Sequence, residues 1–172
     1  MLIQIENGDI YFLDSLGLKI NTSLEFQLCK IYGRNKNRIL IKIPEVQKQD
    51  NSIDCGLFTI TNAVEFCNNG FKGGTHINYD EKYMRDHLIY CLEKGFFSQL
   101  PTNGIGRAPT ILKTKDHLIP INCDCGSPDT IEDMIVCEGK NGRKLCNMWR
   151  HKSCAGNIGN CSNWLCEVHK AS

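Results

Sequence analysis

The sequence predicts an α+β fold in two parts: a small mixed sheet packed by helices, then a finger with little regular structure. Three observations predict it. Apolar runs of strand character occupy residues 3–5, 10–13 and 38–43, each bounded by turn or breaker residues. Stretches with apolar residues at helical spacing lie around residues 22–32, 55–67 and 80–94. Seven of the 11 cysteines fall between Cys123 and Cys166.

The first two strands flank Asn7-Gly8, a pair that accepts the positive φ a tight hairpin requires. Asn21-Thr22-Ser23 offers capping side chains for a helix to about Tyr32, with Leu24, Leu28 and Ile31 on one face. Ile39, Ile41 and Ile43 recur at every second position, and Pro44 stops that strand. The next helix carries Leu57, Ile60, Ala63, Val64 and Cys67 inward and ends at Asn68-Asn69-Gly70. The last turns Tyr83, Met84, His87, Leu88 and Cys91 inward and stops at Gly95. Cys29, Cys67 and Cys91 fall on these apolar faces and read as core. Residues 101–116 carry Pro, Gly, Thr and Lys without periodicity. The expected organisation is therefore a first domain at 1–100, a linker at 101–120 and a finger at 121–170.

The formal net charge is +1, so bulk electrostatics give no direct nucleic-acid or membrane signal. No apolar run approaches the roughly 20 residues of a membrane-spanning helix. A polar, strand-like segment follows Met1 instead of a signal peptide. An odd cysteine count without a secretion signal argues against a disulfide framework and for an intracellular, metal-binding chain.

The ligand-type residues fall in four pairs: Cys123 and Cys125, Cys137 and Cys146, His151 and Cys154, Cys166 and His169. Structural zinc takes four Cys or His ligands in a tetrahedron. A domain near fifty residues buries too little apolar surface to be stable alone. Zinc closes that gap, because its roughly 10–16 kcal/mol of binding energy appears as folding energy. Trp149 and Trp164 each stand two residues before a ligand.

These residues, together with Asp133-Met134-Ile135-Val136-Cys137, resemble the PHD finger, a cross-braced two-zinc module. The resemblance covers residues 122–170. It implies one Zn2+ held by Cys123, Cys125, His151 and Cys154, and a second held by Cys137, Cys146, Cys166 and His169. Two features depart from the family pattern. The final ligand is His169 where the family usually has cysteine, and the gap from Cys137 to Cys146 is long, which implies a bulging loop at residues 139–144. Cys161 is left over and reads as a non-ligand. The resemblance also implies a lysine-bearing, histone-type peptide tail as partner and a nuclear location. Trp149 and Met134 stand where methyl-lysine readers place cage residues, while Asn122 replaces an aromatic. The alternative for Trp149 is a packing role. Trp164 reads as core.

The segment Gln49-Asp50-Asn51-Ser52-Ile53-Asp54-Cys55-Gly56 leads from a strand into a helix. A thiol at a helix N-terminus meets the positive end of the dipole. Gln49 is placed to aim an amide N–H at an oxyanion, worth about 3 kcal/mol of barrier. With Tyr11-Phe12-Leu13-Asp14 upstream and Tyr83-Met84-Arg85 downstream, the segment resembles the ubiquitin-like-protein (SUMO-specific) protease family. The resemblance spans about residues 2–100. It implies a partial papain-like domain with Cys55 as nucleophile, Asp14 as orienting acid, Gln49 at the oxyanion, and ubiquitin-like modifiers or their conjugates as partners. The family's histidine has no counterpart here. No histidine precedes His76, and neither His76 nor His87 matches the family position. The chain thus reads as the C-terminal part of such a peptidase without its base.

Three readings follow. The chain is a thiol isopeptidase; or a binding module in which the protease-like part is a scaffold and the finger reads a tail; or a decayed product in which only the finger folds.

Overall fold

The computed structural model describes residues 2–4, 8–33, 36–69, 77–105, 114–141, 143–156 and 163–170. It is an α+β protein with small sheets. The elements run β1 (Leu2–Gln4), β2 (Ile10–Phe12), α1 (Thr22–Tyr32), β3 (Arg38–Pro44), α2 (Cys55–Asn69), β4 (Ile77–Tyr79) and α3 (Glu81–Lys94). They continue as β5 (Thr102–Ile105), β6 (Thr114–Pro120), β7 (Met134–Val136), β8 (Lys140–Asn141), β9 (Lys144–Leu145), β10 (Trp149–His151) and α4 (Glu167–Lys170). A four-stranded sheet has the order β1-β2-β3-β6, and three two-stranded sheets pair β4 with β5, β7 with β10 and β8 with β9.

The chain divides into two compact units, and the division differs from the expected one. The first comprises Met1–Lys19 and Ile41–His117, the second Ile20–Leu40 and Leu118–Ser172. The stretch expected as a linker carries β5 and β6.

In the first unit, β1 and β2 form the expected antiparallel hairpin, with Leu2 opposite Phe12 and Gln4 opposite Ile10. Gly8 takes the positive φ, 86°, that its turn requires. Strand β2 pairs in parallel with β3, Ile10 opposite Ile41, so the sheet is mixed. Leu57, Phe58, Tyr79, Met84 and Leu100 form a core, with Val64, Ile77 and Leu88 against it. Helix α2 therefore buries its Leu57 and Phe58 side. Cys67, expected in the core, is exposed. On α3, Met84 and Cys91 are buried, whereas Tyr83 is about half exposed. Gly95 ends α3 in the left-handed conformation and sends its N–H to the carbonyls of Cys91 and Leu92. The Gln47 side chain serves β4 as a substitute strand: Tyr79 N–H donates to its Oε1 (2.6 Å), and its Nε2 donates to the Tyr79 carbonyl (3.2 Å).

In the second unit, α1 starts at Asn21, whose Oδ1 accepts the Leu24 N–H at 2.9 Å. Its inner face is Glu25, Leu28 and Cys29. Ile31, expected inside, is exposed. Burial, and then the charges of Glu25 and Asp129, push the Cys29 thiol up to about 11, so it stays a neutral core group. Thr130 Oγ1 donates to the buried Glu25 carboxylate. Gly33 fits tightly: a Cβ there would lie 3.0 Å from Ile121 Cδ1 and 2.5 Å from the Cys29 carbonyl oxygen. Helix α1 thus packs with the finger, about a hundred residues later in the chain. Within the finger, β7 pairs antiparallel with β10, and Trp164 is buried with Cys137 and Cys166. No described helix is long and apolar enough to cross a membrane.

Candidate metal centres

Turns and strand ends bring the ligand-type residues together. Cys123 and Cys125 sit in the turn closed by Gly126 N–H on the Cys123 carbonyl, with Gly126 at φ 75°. His151 ends β10, and the next turn returns Cys154, whose N–H bonds the His151 carbonyl at 3.0 Å. Cys137 follows β7, and Cys146 follows β9. Cys166 and His169 lie one turn apart at α4, with His169 N–H on the Cys166 carbonyl at 2.9 Å.

The result is two four-residue groups. The ligand atoms of Cys123, Cys125, His151 and Cys154 lie within 4.8 Å of one another, as do those of Cys137, Cys146, Cys166 and His169. The groups interleave along the chain, first pair with third and second with fourth. Each offers three sulfurs and one imidazole.

The spacing suits a tetrahedral ion. Zn–S near 2.3 Å and Zn–N near 2.0–2.1 Å give a tetrahedral S···N edge of roughly 3.5 Å. His151 Nδ1 lies 3.3 Å from Cys125 Sγ. His169 Nδ1 lies 3.2 Å from Cys166 Sγ and 3.6 Å from Cys137 Sγ. Both rings turn Nδ1 to the sulfurs and Nε2 to an oxygen: the Pro128 carbonyl at 3.0 Å for His151 and Asn141 Oδ1 at 3.0 Å for His169. An acceptor on one ring nitrogen keeps the proton there and leaves the other lone pair for a metal.

Backbone N–H groups support negative sulfur. Ser127 N–H points at Cys125 Sγ (3.4 Å), and the N–H groups of Gly139 and Cys166 at Cys137 Sγ (3.4 and 3.2 Å). Burial pushes the Cys125 thiol up, but the Ser127 hydrogen bonds, with those of Cys123 and His151, outweigh it and bring it down to about 7. Burial likewise opposes ionisation of Cys137, and the Cys166 and Gly139 N–H groups bring it down to about 7. Cys154 goes the other way, to about 11, through burial and the neighbouring sulfurs of Cys123 and Cys125. Charge on one sulfur thus penalises charge on the next, a conflict that a divalent cation removes.

The sequence-expected catalytic residues sit in the first unit. Cys55 is the first residue of α2 and is exposed, and a Cβ built at Gly56 would meet nothing within 4 Å. The Asp14 carboxylate closes its own turn, accepting N–H groups of Leu16 (3.2 Å) and Leu18. Gln49 is buried, with Oε1 accepting Ser15 Oγ–H (2.7 Å) and Nε2 donating to the Asn51 carbonyl. Its backbone N–H also bonds the Ser15 carbonyl at 3.1 Å. Gln49 thereby ties the Asp14 turn to the loop that leads into Cys55. Among the described residues no histidine is hydrogen-bonded to Asp14 or Cys55, and His87 pairs with Ser98 Oγ (3.1 Å). His76 and Cys161 lie outside the described residues.

Trp149 is 41% exposed, and Met134 is half-buried. Trp149 stands opposite Val136 and His151 opposite Met134. Cys137 N–H bonds the Met148 carbonyl, and Lys152 N–H bonds the Asp133 carbonyl. By antiparallel alternation the backbone groups of Met134 and Val136 face away from β10. Spacing gave no notice of Asn141, Gly139 or the Pro128 carbonyl, because these act on the ligands and do not belong to the ligand pattern. Comparison with protein-family models, with curated proteins and with solved structures gives no match to this chain.

Proposed function

We propose that the chain is a zinc-binding protein whose finger holds two structural Zn2+ ions in PHD-type cross-brace and serves as a peptide-recognition module. The observation that carries this is the interleaving of the two Cys3His groups. The ions would supply folding energy and hold β7 and β10 in place. The outward N–H and C=O groups of Met134 and Val136 then form a strand edge on which an extended peptide can add. Exposed Trp149 lies opposite Val136 on the neighbouring strand β10, and its aromatic face is open to a lysine ammonium of the added peptide. The partner so described is a lysine-bearing, histone-type tail.

The test is titration of the zinc-loaded chain with synthetic histone-type peptides, their lysine unmodified or trimethylated. Binding that is weakened by Trp149→Ala and abolished by chelation supports the reading. Binding indifferent to both contradicts it.

A second reading is favoured by exposed Cys55 at the start of α2 and by the Ser15–Gln49 bond beside Asp14. It makes the first unit a thiol isopeptidase domain of the ubiquitin-like-protease type, acting on a modifier's C-terminus. Against activity stand the commitment of the Gln49 N–H to Asn51 and the use of Asp14 in its own turn. A modifier carrying a C-terminal vinyl sulfone decides: labelling above a Cys55→Ala control supports catalysis, and equal labelling leaves the unit a scaffold.

A further inference from the structure

We infer that Asn141 is the positioning residue for the imidazole of the second centre, holding the His169 proton on Nε2 so that Nδ1 is free for a metal ion. This rests on the two-zinc reading above. Asn141 lies between Cys137 and Cys146, in the β8–β9 hairpin, with Lys140 opposite Leu145 and Asn141 opposite Lys144. The hairpin is pinned at its base by Cys146 N–H on the Gly139 carbonyl, 2.9 Å. Its far side delivers Asn141 Oδ1 to 3.0 Å from His169 Nε2.

A thiolate ligand needs no such partner. An imidazole does: it must present one nitrogen as a lone pair and keep its proton on the other, in a fixed ring orientation. At the first centre a backbone carbonyl, that of Pro128, fills this role for His151. At the second centre no backbone carbonyl takes it among the described residues, and the β8–β9 hairpin supplies a side-chain oxygen instead. The residue before the hairpin also leaves room for the ring. Gly139 is buried, and a Cβ there would stand 2.3 Å from His169 Cγ and 2.6 Å from Cδ2. Two residues thus fit the imidazole, Gly139 by what it lacks and Asn141 by what it accepts.

The experiment uses the full chain with zinc, and with Co2+ as a spectroscopic substitute. Asn141→Ala should weaken one of the two sites about 10–100-fold, the usual effect of losing such an outer partner, and leave the other site unchanged. Asn141→Asp, which keeps an acceptor oxygen, should restore most of that affinity. In a His169→Cys background, Asn141→Ala should be silent. In the wild-type zinc-loaded chain, imidazole nitrogen shifts should show His169 metal-bound at Nδ1 and protonated at Nε2. Equal effects of Asn141→Ala in both backgrounds, or a metal on Nε2, would overturn the inference. A chain that binds two zinc ions but ignores Asn141→Ala overturns this inference alone. A chain that binds fewer than two overturns the two-zinc reading as well.

Discussion

His151 turns Nδ1 to Cys125 Sγ at 3.3 Å and Nε2 to the Pro128 carbonyl at 3.0 Å. The ring is held between a cysteine sulfur and a proton acceptor, an arrangement that would suit a metal-bound histidine with its outer partner. Burial works against a charged imidazole here, yet the Pro128 carbonyl and the Cys125 sulfur raise its pKa overall. That is the electrostatic signature of an imidazole surrounded by electron-rich groups, to which a cation is the natural complement.

Chelation should unfold the part around β7, β10 and α4, because each centre joins two distant chain segments and the buried cluster there, Cys137, Trp164 and Cys166, is itself made largely of ligand-type residues. The expected loss draws on the roughly 10–16 kcal/mol that structural zinc contributes to small domains. Amide NMR dispersion of residues 118–170 before and after chelator measures it. Retention of dispersion would count against structural zinc.

Gly139→Ala should damage the second centre selectively. The new Cβ would collide with the His169 ring, and that ring is already fixed by Cys137, Cys166 and Asn141. Zinc stoichiometry should fall towards one ion per chain, with the first centre still loaded.

The two tryptophans should separate cleanly. Trp164 is 5% exposed and its Nε1 donates to the Ala155 carbonyl at 3.3 Å. Trp164→Ala should cost about 3–5 kcal/mol of stability. Trp149, at 41% exposure, should lose little stability on truncation. Its effect should appear in tail binding, at about 0.5–2 kcal/mol. Denaturant unfolding and peptide titration of both variants test the contrast.

Thr130→Ala should loosen α1 from the finger. It removes a hydroxyl that donates to buried Glu25. Depriving a buried carboxylate of one donor costs about 1–3 kcal/mol. Hydrogen exchange of α1 amides in the zinc-loaded chain should quicken accordingly.

Gln49→Ala should act on stability before chemistry. Both polar atoms of this buried amide are bonded, to Ser15 and Asn51. The expected loss is about 1–3 kcal/mol, read as a lower denaturant midpoint for the first unit.

Much of this was legible in the sequence where the signal is local. Asn21 caps α1, Gly95 stops α3 and Gly8 turns the first hairpin, each for a reason contained in one residue. The two cysteine–histidine groups that could hold metal were legible because ligand chemistry permits few residue types, and their pairing along the chain leaves a pattern. What depended on distant contacts was not. Nothing in residues 20–40 announces packing with residues 118–170, since the Gly33–Ile121 fit and the Glu25–Thr130 bond are non-local. Helical period alone misjudged Ile31 and Cys67, because it marks an apolar arc without saying which part of the arc is covered. Strands β5 and β6 lie in a stretch of Pro, Gly, Thr and Lys, where pairing with β4 and β3 outweighs weak local propensity. The Gln49 amide looked free to meet an oxyanion because its partners, Ser15 and Asn51, are fixed only by the folded loop.

Native mass spectrometry of the freshly purified full chain counts the bound ions. The expected mass is that of the polypeptide plus two zinc ions, with both lost on chelation and the cysteines of the two groups then alkylated as free thiols. A chain carrying no zinc, with those cysteines paired as disulfides, would contradict it.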